Sequence, residues 1–111
     1  MKKIEAVVWP EKFSYIKDAL AKAGYPSLTT YEVKGRGRQG GVVQLVREKE
    51  VKVDLLPKTK IEVIVNDNEV EKVIKVITAT AKTGAIGDGK IFVFPVEEVI
   101  HIRTGERGTV V

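Results

Sequence analysis

From Lys2 to Trp9 the residues alternate, with Ile4, Ala6 and Val8 on one side and Lys3, Glu5, Val7 and Trp9 on the other, which predicts a strand. Pro10 suits the first turn of a helix, and Phe13, Ile16, Leu20 and Ala23 then recur at three- and four-residue spacing until Gly24 and Pro26 stop the pattern. Leu28 to Val33 is rich in Thr, Tyr and Val, side chains that fit a pleated surface, and reads as a second strand. It runs into Gly35-Arg-Gly-Arg-Gln-Gly-Gly41. From Val42 to Leu56 no period is sustained: a short apolar run gives way to Arg47-Glu48-Lys49-Glu50. That stretch predicts a long exposed loop, about residues 37–55, and loops of such length inside a compact domain are usually functional or disordered. After Pro57, Ile61, Val63 and Val65 share one face of a third strand. Asn66 and Glu69 have the form of a capping pair, and Val70, Val73, Ile74 and Ile77 make the stripe of a second helix that fades near Thr83-Gly84. A turn through Gly84, Gly87 and Gly89 leads to a fourth strand at Ile91-Phe92-Val93-Phe94. Val96 to Arg103 fits a short extra strand beside it, and Gly105 and Gly108 mark a loose tail.

The order strand, helix, strand, strand, helix, strand predicts an α+β fold, the ferredoxin-like βαββαβ sandwich, with an antiparallel sheet covered by two helices on one face. The other face carries apolar groups such as Val7, Trp9 and Ile64, which a single copy would leave partly exposed and a cyclic oligomer could bury. At 111 residues, 43% of them hydrophobic, the chain supports one domain, residues 1–111, and not two with separate cores. The absence of cysteine excludes a disulfide framework, a thiolate metal site and a cysteine nucleophile. The opening apolar run is shorter than a signal-peptide core and no stretch reaches membrane-spanning length, so the expected compartment is the cytoplasm.

Nineteen Lys and Arg against fifteen Asp and Glu leave a charge of +4, and Lys34, Arg36, Arg38 and Arg47 surround the glycine-rich stretch. Glycines let backbone N–H groups converge on an anion and arginines add bidentate donors, so residues 34–41 suit a phosphate; a solvated basic hairpin has the same composition. Thr83-Gly-Ala-Ile-Gly-Asp-Gly-Lys90 contains the GxxxxGK core of a phosphate-binding loop. Its setting is wrong for that enzymology: Ile91 stands where a magnesium-holding Ser or Thr belongs, and the segment joins a helix to a strand rather than a strand to a helix. A looser phosphate-binding turn, with Lys90 as a point charge, is compatible with it, as is an ordinary connection. Lys58 and the pair His101 and Arg103, expected on one strand face, are further basic candidates. With one histidine and no evident carboxylate pair or Ser-His-Asp set, catalysis has little to work with, and the chain reads as a binding protein rather than an enzyme.

Val33–Gly41, Leu55–Glu62, Thr83–Val93 and Ile102–Glu106 together closely resemble the PII signal-transduction (nitrogen regulatory) family, near its ammonium-transporter-associated branch. The resemblance implies a homotrimer with ATP or ADP in each cleft between subunits, and 2-oxoglutarate beside ATP through magnesium. Carried over by position, it implies that Gly35, Gly37, Arg38, Gln39, Gly87, Asp88, Gly89 and Lys90 hold the nucleotide from one subunit, with Thr29 and Ile64 near the adenosine. His101 and Arg103 would meet the phosphates, Arg103 from the neighbour. Gln39, Gly41 and Lys58 match positions that meet 2-oxoglutarate, and the side-chain carbonyl of Gln39 can join the magnesium shell. Ligand capture at the loop's root would then change what its tip touches in a partner such as an ammonium transporter or a nitrogen-assimilation enzyme, with Arg47 the residue that would plug the channel mouth in the transporter case.

Four positions depart from the pattern. Val51 stands where many bacterial members carry a tyrosine that is uridylylated, His101 where an arginine often contacts phosphate, Gly40 and Trp9 where lysines are frequent. An alternative reading, a basic ferredoxin-like nucleic-acid-binding module, draws on a pI of about 9.3. Against it stand only one Trp, three Tyr and three Phe, none in an aromatic-rich RNA-binding signature.

Overall fold

A computed structural model describes residues 1–36, 42–46, 49–53 and 55–108, those of 42–46 and 49–53 by backbone alone. The predicted order is observed. Strand β1 (Lys2–Val8) leads through a short 3-10 turn, Pro10–Lys12, into helix α1 (Phe13–Lys22), and β2 (Thr29–Gly35) follows. Strand β5 (Leu56–Val65), a 3-10 turn at Asp67–Glu69, helix α2 (Val70–Ala81) and β6 (Lys90–Pro95) complete the domain. The four long strands lie in the order β2-β5-β1-β6, every neighbouring pair antiparallel.

The alternation in β1 and β5 gives the sheet its buried side. Ile4, Ala6, Val8, Ile61, Val63 and Val65 face Ile16 and Leu20 of α1 and Val73, Ile77 and Ala81 of α2 in one continuous core. On the opposite side the register sets Lys3 beside Ile64 and Phe94, Glu5 beside Glu62 and Phe92, and Val7 beside Lys60 and Lys90. Two carboxylates directly across from each other repel. Diagonal ion pairs relieve them: Lys3 to Glu62 at 3.3 Å and Lys60 to Glu5 at 2.9 Å. Lys3 also lies over the Phe94 ring and Lys60 over Tyr31, at 4.7 and 5.4 Å from the centroids.

Several expectations are corrected. Inside the long loop, β3 (Val42–Val46) and β4 (Lys49–Val53) pair antiparallel, from Val42 with Val53 to Val46 with Lys49, as a two-stranded sheet of their own. Backbone bonds carry this pairing, and the sequence Arg47-Glu48-Lys49-Glu50 shows no alternating apolar face that would reveal it. The strand beyond starts at Leu56, two residues before Lys58. Asn66 makes no side-chain cap: Glu69 instead accepts a hydrogen bond from the Tyr25 hydroxyl, and Asp67 pairs with the N-terminal ammonium at 3.0 Å. The expected short C-terminal strand beside β6 is replaced by a tight turn over 101–104 that returns the chain on itself. The only pairing there among the described residues is a bridge from Ile100 to Arg107. Gly105 at φ +74° makes that return possible, and the Gly105 and His101 N–H groups donate to the carbonyls of His101 and Glu106 at 2.7 and 2.9 Å. His101 and Arg103 therefore sit in a turn, where the alternation expected of a strand does not apply.

Candidate functional site

The segment from Ala81 to Lys90 is tied around one carboxylate. Asp88 accepts from the backbone N–H groups of Thr83 and Gly84 at 2.8 and 2.9 Å and from the Thr83 hydroxyl, which in turn accepts from the Ala85 N–H at 3.2 Å. The Thr83 hydroxyl bond, with the backbone bonds behind it, holds the Asp88 carboxyl below its ordinary range. Asp88 thus serves the turn itself. Gly89 then passes so close to β1 that an added Cβ would lie 1.8 Å from the Val7 carbonyl oxygen, and its φ is +107°. No other residue allows that approach. The consequence is placement: Lys90 enters β6 opposite Val7, at the end of the sheet where Trp9 leaves β1. A cavity of about 360 Å³ opens here between α2 and β6, walled by Val8, Ile77, Ala81 and Ile91 with Lys82 and Lys90 among its lining residues. Its size falls within the span of small-molecule sites.

Lys58 joins this corner from β5. It pairs with Val33 of β2, and its Cγ is 4.0 Å from where a Cβ on Gly35 would stand. Its ammonium donates to the Gly87 carbonyl and lies over the Trp9 ring, 3.1 Å from the centroid. Burial lowers its pKa from the usual lysine value, against the opposing pull of Glu11 and Asp88. Gly35, Lys58, Gly87, Asp88, Gly89 and Lys90, distant in sequence, are thereby gathered at one end of the sheet.

Other predicted residues lie elsewhere in the fold. Thr29 is exposed and pairs with Glu62, and Ile64 is half-buried beside Lys3. Ile64 stands six residues beyond Lys58 along β5, about 20 Å at the rise of a strand. His101 and Arg103 are exposed on the C-terminal turn. Gly37, Arg38, Gln39, Gly41 and Arg47 lie outside the described residues, so the proposed magnesium ligand is among them. Among the described residues no cluster of three His, Cys, Asp or Glu side chains suits a metal. Lysines and glycine-shaped backbone suit an anion instead. Sequence reasoning missed the role of Trp9 as the surface against which Lys58 rests; its position directly before Pro10, at the end of an alternating strand, was the available signal.

Fold and corner together define a ferredoxin-like α+β domain with cations and close-approaching backbone at one end of its sheet. A family model described as nitrogen regulatory protein P-II matches residues 1–106. Nitrogen regulatory protein P-II 2 of Methanothermobacter thermautotrophicus is 52% identical over 108 residues, covering 97% of this chain and 94% of that protein. Nitrogen regulatory protein P-II of Azospirillum brasilense is 55% identical over 108 residues, with 97% and 96% covered. The protein of the same name from Nostoc punctiforme is 50% identical over 109 residues, with 98% and 97% covered. The chain belongs to the nitrogen regulatory protein P-II family of signal-transduction proteins.

Proposed function

We propose that this chain senses adenine nucleotides, and 2-oxoglutarate with magnesium, and through them controls an ammonium transporter or a nitrogen-assimilation enzyme in the cytoplasm. The observation that carries the nucleotide reading is the corner where Lys58 bonds to Gly87 and Gly89 forces the backbone against Val7. ATP or ADP phosphates meet Gly87, Gly89 and Lys90 there, with Gly35, Gly37, Arg38 and Gln39 closing from the root of the 37–55 segment. Asp88 contributes by holding the turn, while Thr29 and Ile64 serve the adenosine.

A homotrimer completes each site: Arg103 of a neighbouring copy supplies a phosphate contact, and His101 meets the phosphates as well. The open sheet face supports assembly, since Phe92 and Phe94 are 45% and 39% exposed beside paired charges. 2-Oxoglutarate meets Lys58, Gln39 and Gly41, with magnesium held by Gln39, and Arg47 engages the partner. The chain acts by binding and carries no turnover chemistry of its own. No helix among the described residues is long and apolar enough to cross a membrane, and contact with a membrane comes through the transporter.

Calorimetric titration with ATP and with ADP tests this. Saturable heat with one site per chain is expected; no heat with either at concentrations that saturate ordinary regulators contradicts it. The nucleic-acid reading gains one observation, the aromatic rings of Tyr31, Phe92 and Phe94 on an open sheet face. Glu5 and Glu62 at the centre of that face oppose a phosphate backbone. A salt-dependent gel shift separates the two.

A further inference from the structure

We propose that Trp9 and the Gly87 carbonyl form a resting seat for the Lys58 ammonium, and that a small dicarboxylate binds only by drawing the ammonium off the indole ring, so that Trp9 sets the ligand threshold. The proposal rests on the reading of Lys58 as a 2-oxoglutarate contact and adds a positioning residue to it.

The seat is built from three separate elements. Trp9 is the pre-proline residue between β1 and the 3-10 turn, held extended at φ −63° and ψ 137°, with its carbonyl accepting from the Lys12 N–H at 3.0 Å. Val8 before it is buried in the core at 2% exposure, so the backbone that carries the indole is fixed on both sides. Lys58 comes from β5 and Gly87 from the turn after α2. The lysine is only 8% exposed, and its ammonium rests on a ring face and one carbonyl. The charges of Glu11 and Asp88 favour the ammonium, yet among the described residues no carboxylate forms an ion pair with it.

A desolvated cation compensated by a ring quadrupole and a neutral carbonyl is held less strongly than one bonded to a carboxylate. An incoming carboxylate therefore wins, with the ring's hold subtracted from its affinity. Because the same ammonium bonds to Gly87, its departure also frees a carbonyl in the turn assigned to nucleotide, which links the two ligands.

The test uses the full chain, its Trp9→Leu variant, and Trp9→Phe, which keeps an aromatic face. In the ligand-free protein the Lys58 ε-methylene protons should be shifted upfield by ring current in wild type and Trp9→Phe, and not in Trp9→Leu. Addition of 2-oxoglutarate with magnesium and ATP should move the wild-type signal back. Calorimetry should show Trp9→Leu binding 2-oxoglutarate about 2- to 10-fold more tightly, the range expected from losing one cation–π contact, with ATP affinity unchanged. An unshifted signal in the ligand-free wild type overturns the seat. Heat of 2-oxoglutarate binding without movement of the signal, or equal affinities in wild type and Trp9→Leu, overturns the threshold while leaving nucleotide sensing intact. Absence of ATP heat defeats the nucleotide reading, and absence of 2-oxoglutarate heat defeats the ligand step of this proposal.

Discussion

The two faces of one sheet are built by opposite rules. The side under the helices has eleven buried apolar side chains in one cluster, drawn from β1, β5, α1 and α2, and no charged group within it. The far side has Lys3, Glu5, Lys60 and Glu62 interleaved with Val7, Ile64, Tyr31, Phe92 and Phe94, each charge answered by a neighbour. A face meant only for water has no need of phenylalanines, and a face meant only for a core has no use for four charges. The combination fits a surface that meets another copy of the chain.

The contrast can be broken most severely from the covered side. Ile77→Ala, at 1% exposure, should cost about 2–5 kcal/mol by denaturant unfolding at fixed chain concentration. Gly89→Ala acts at the seam between the two faces, where the new Cβ meets the Val7 carbonyl. Its positive φ alone should cost about 1–3 kcal/mol, and ATP affinity measured by calorimetry should fall at least tenfold even where the variant still melts cooperatively.

A smaller effect is expected where α1 runs out beside α2. Tyr25→Phe removes the hydroxyl's bond to Glu69 and should cost about 1 kcal/mol. That bond, then burial, pushes the tyrosine up to about 12 from its ordinary 10.0. The folded value being the higher, the contribution is complete below pH 10 and fades as pH rises toward 12, so the two chains should converge in thermal stability over that interval. Smallest for the fold is Phe92→Lys on the open face, which sets a cation across from Glu5, within about 0.5 kcal/mol for the isolated chain. Yet this variant should lose assembly by sedimentation, whereas the three substitutions on the covered side or its seam act through the subunit itself.

How much of this was legible in the sequence follows the same division. Ile4, Ala6 and Val8, or Val73 and Ile77, announce their elements because a buried face imposes a period. The turn around Asp88 was readable as glycine-rich, but the carboxylate's service to Thr83 and Gly84 was not, since that is a matter of local closure. The 101–104 turn defeated the strand expectation because one glycine, Gly105, outweighs the β-favouring residues before it. Lys58 and Trp9 lie 49 positions apart, and only the pairing of β5 with β1 and β2 brings them together. For β3 and β4 the short alternation of Val51, Val53 and Leu55 was masked by the charged run Arg47-Glu48-Lys49-Glu50 before it.

On the proposed function the open face and the ligand corner both depend on neighbours, so the mass of the purified chain in solution tests the account most directly. Sedimentation equilibrium should give three times the 12.3 kDa chain, with or without adenylates. A species of 12.3 kDa that persists at high concentration in the presence of ATP would contradict it.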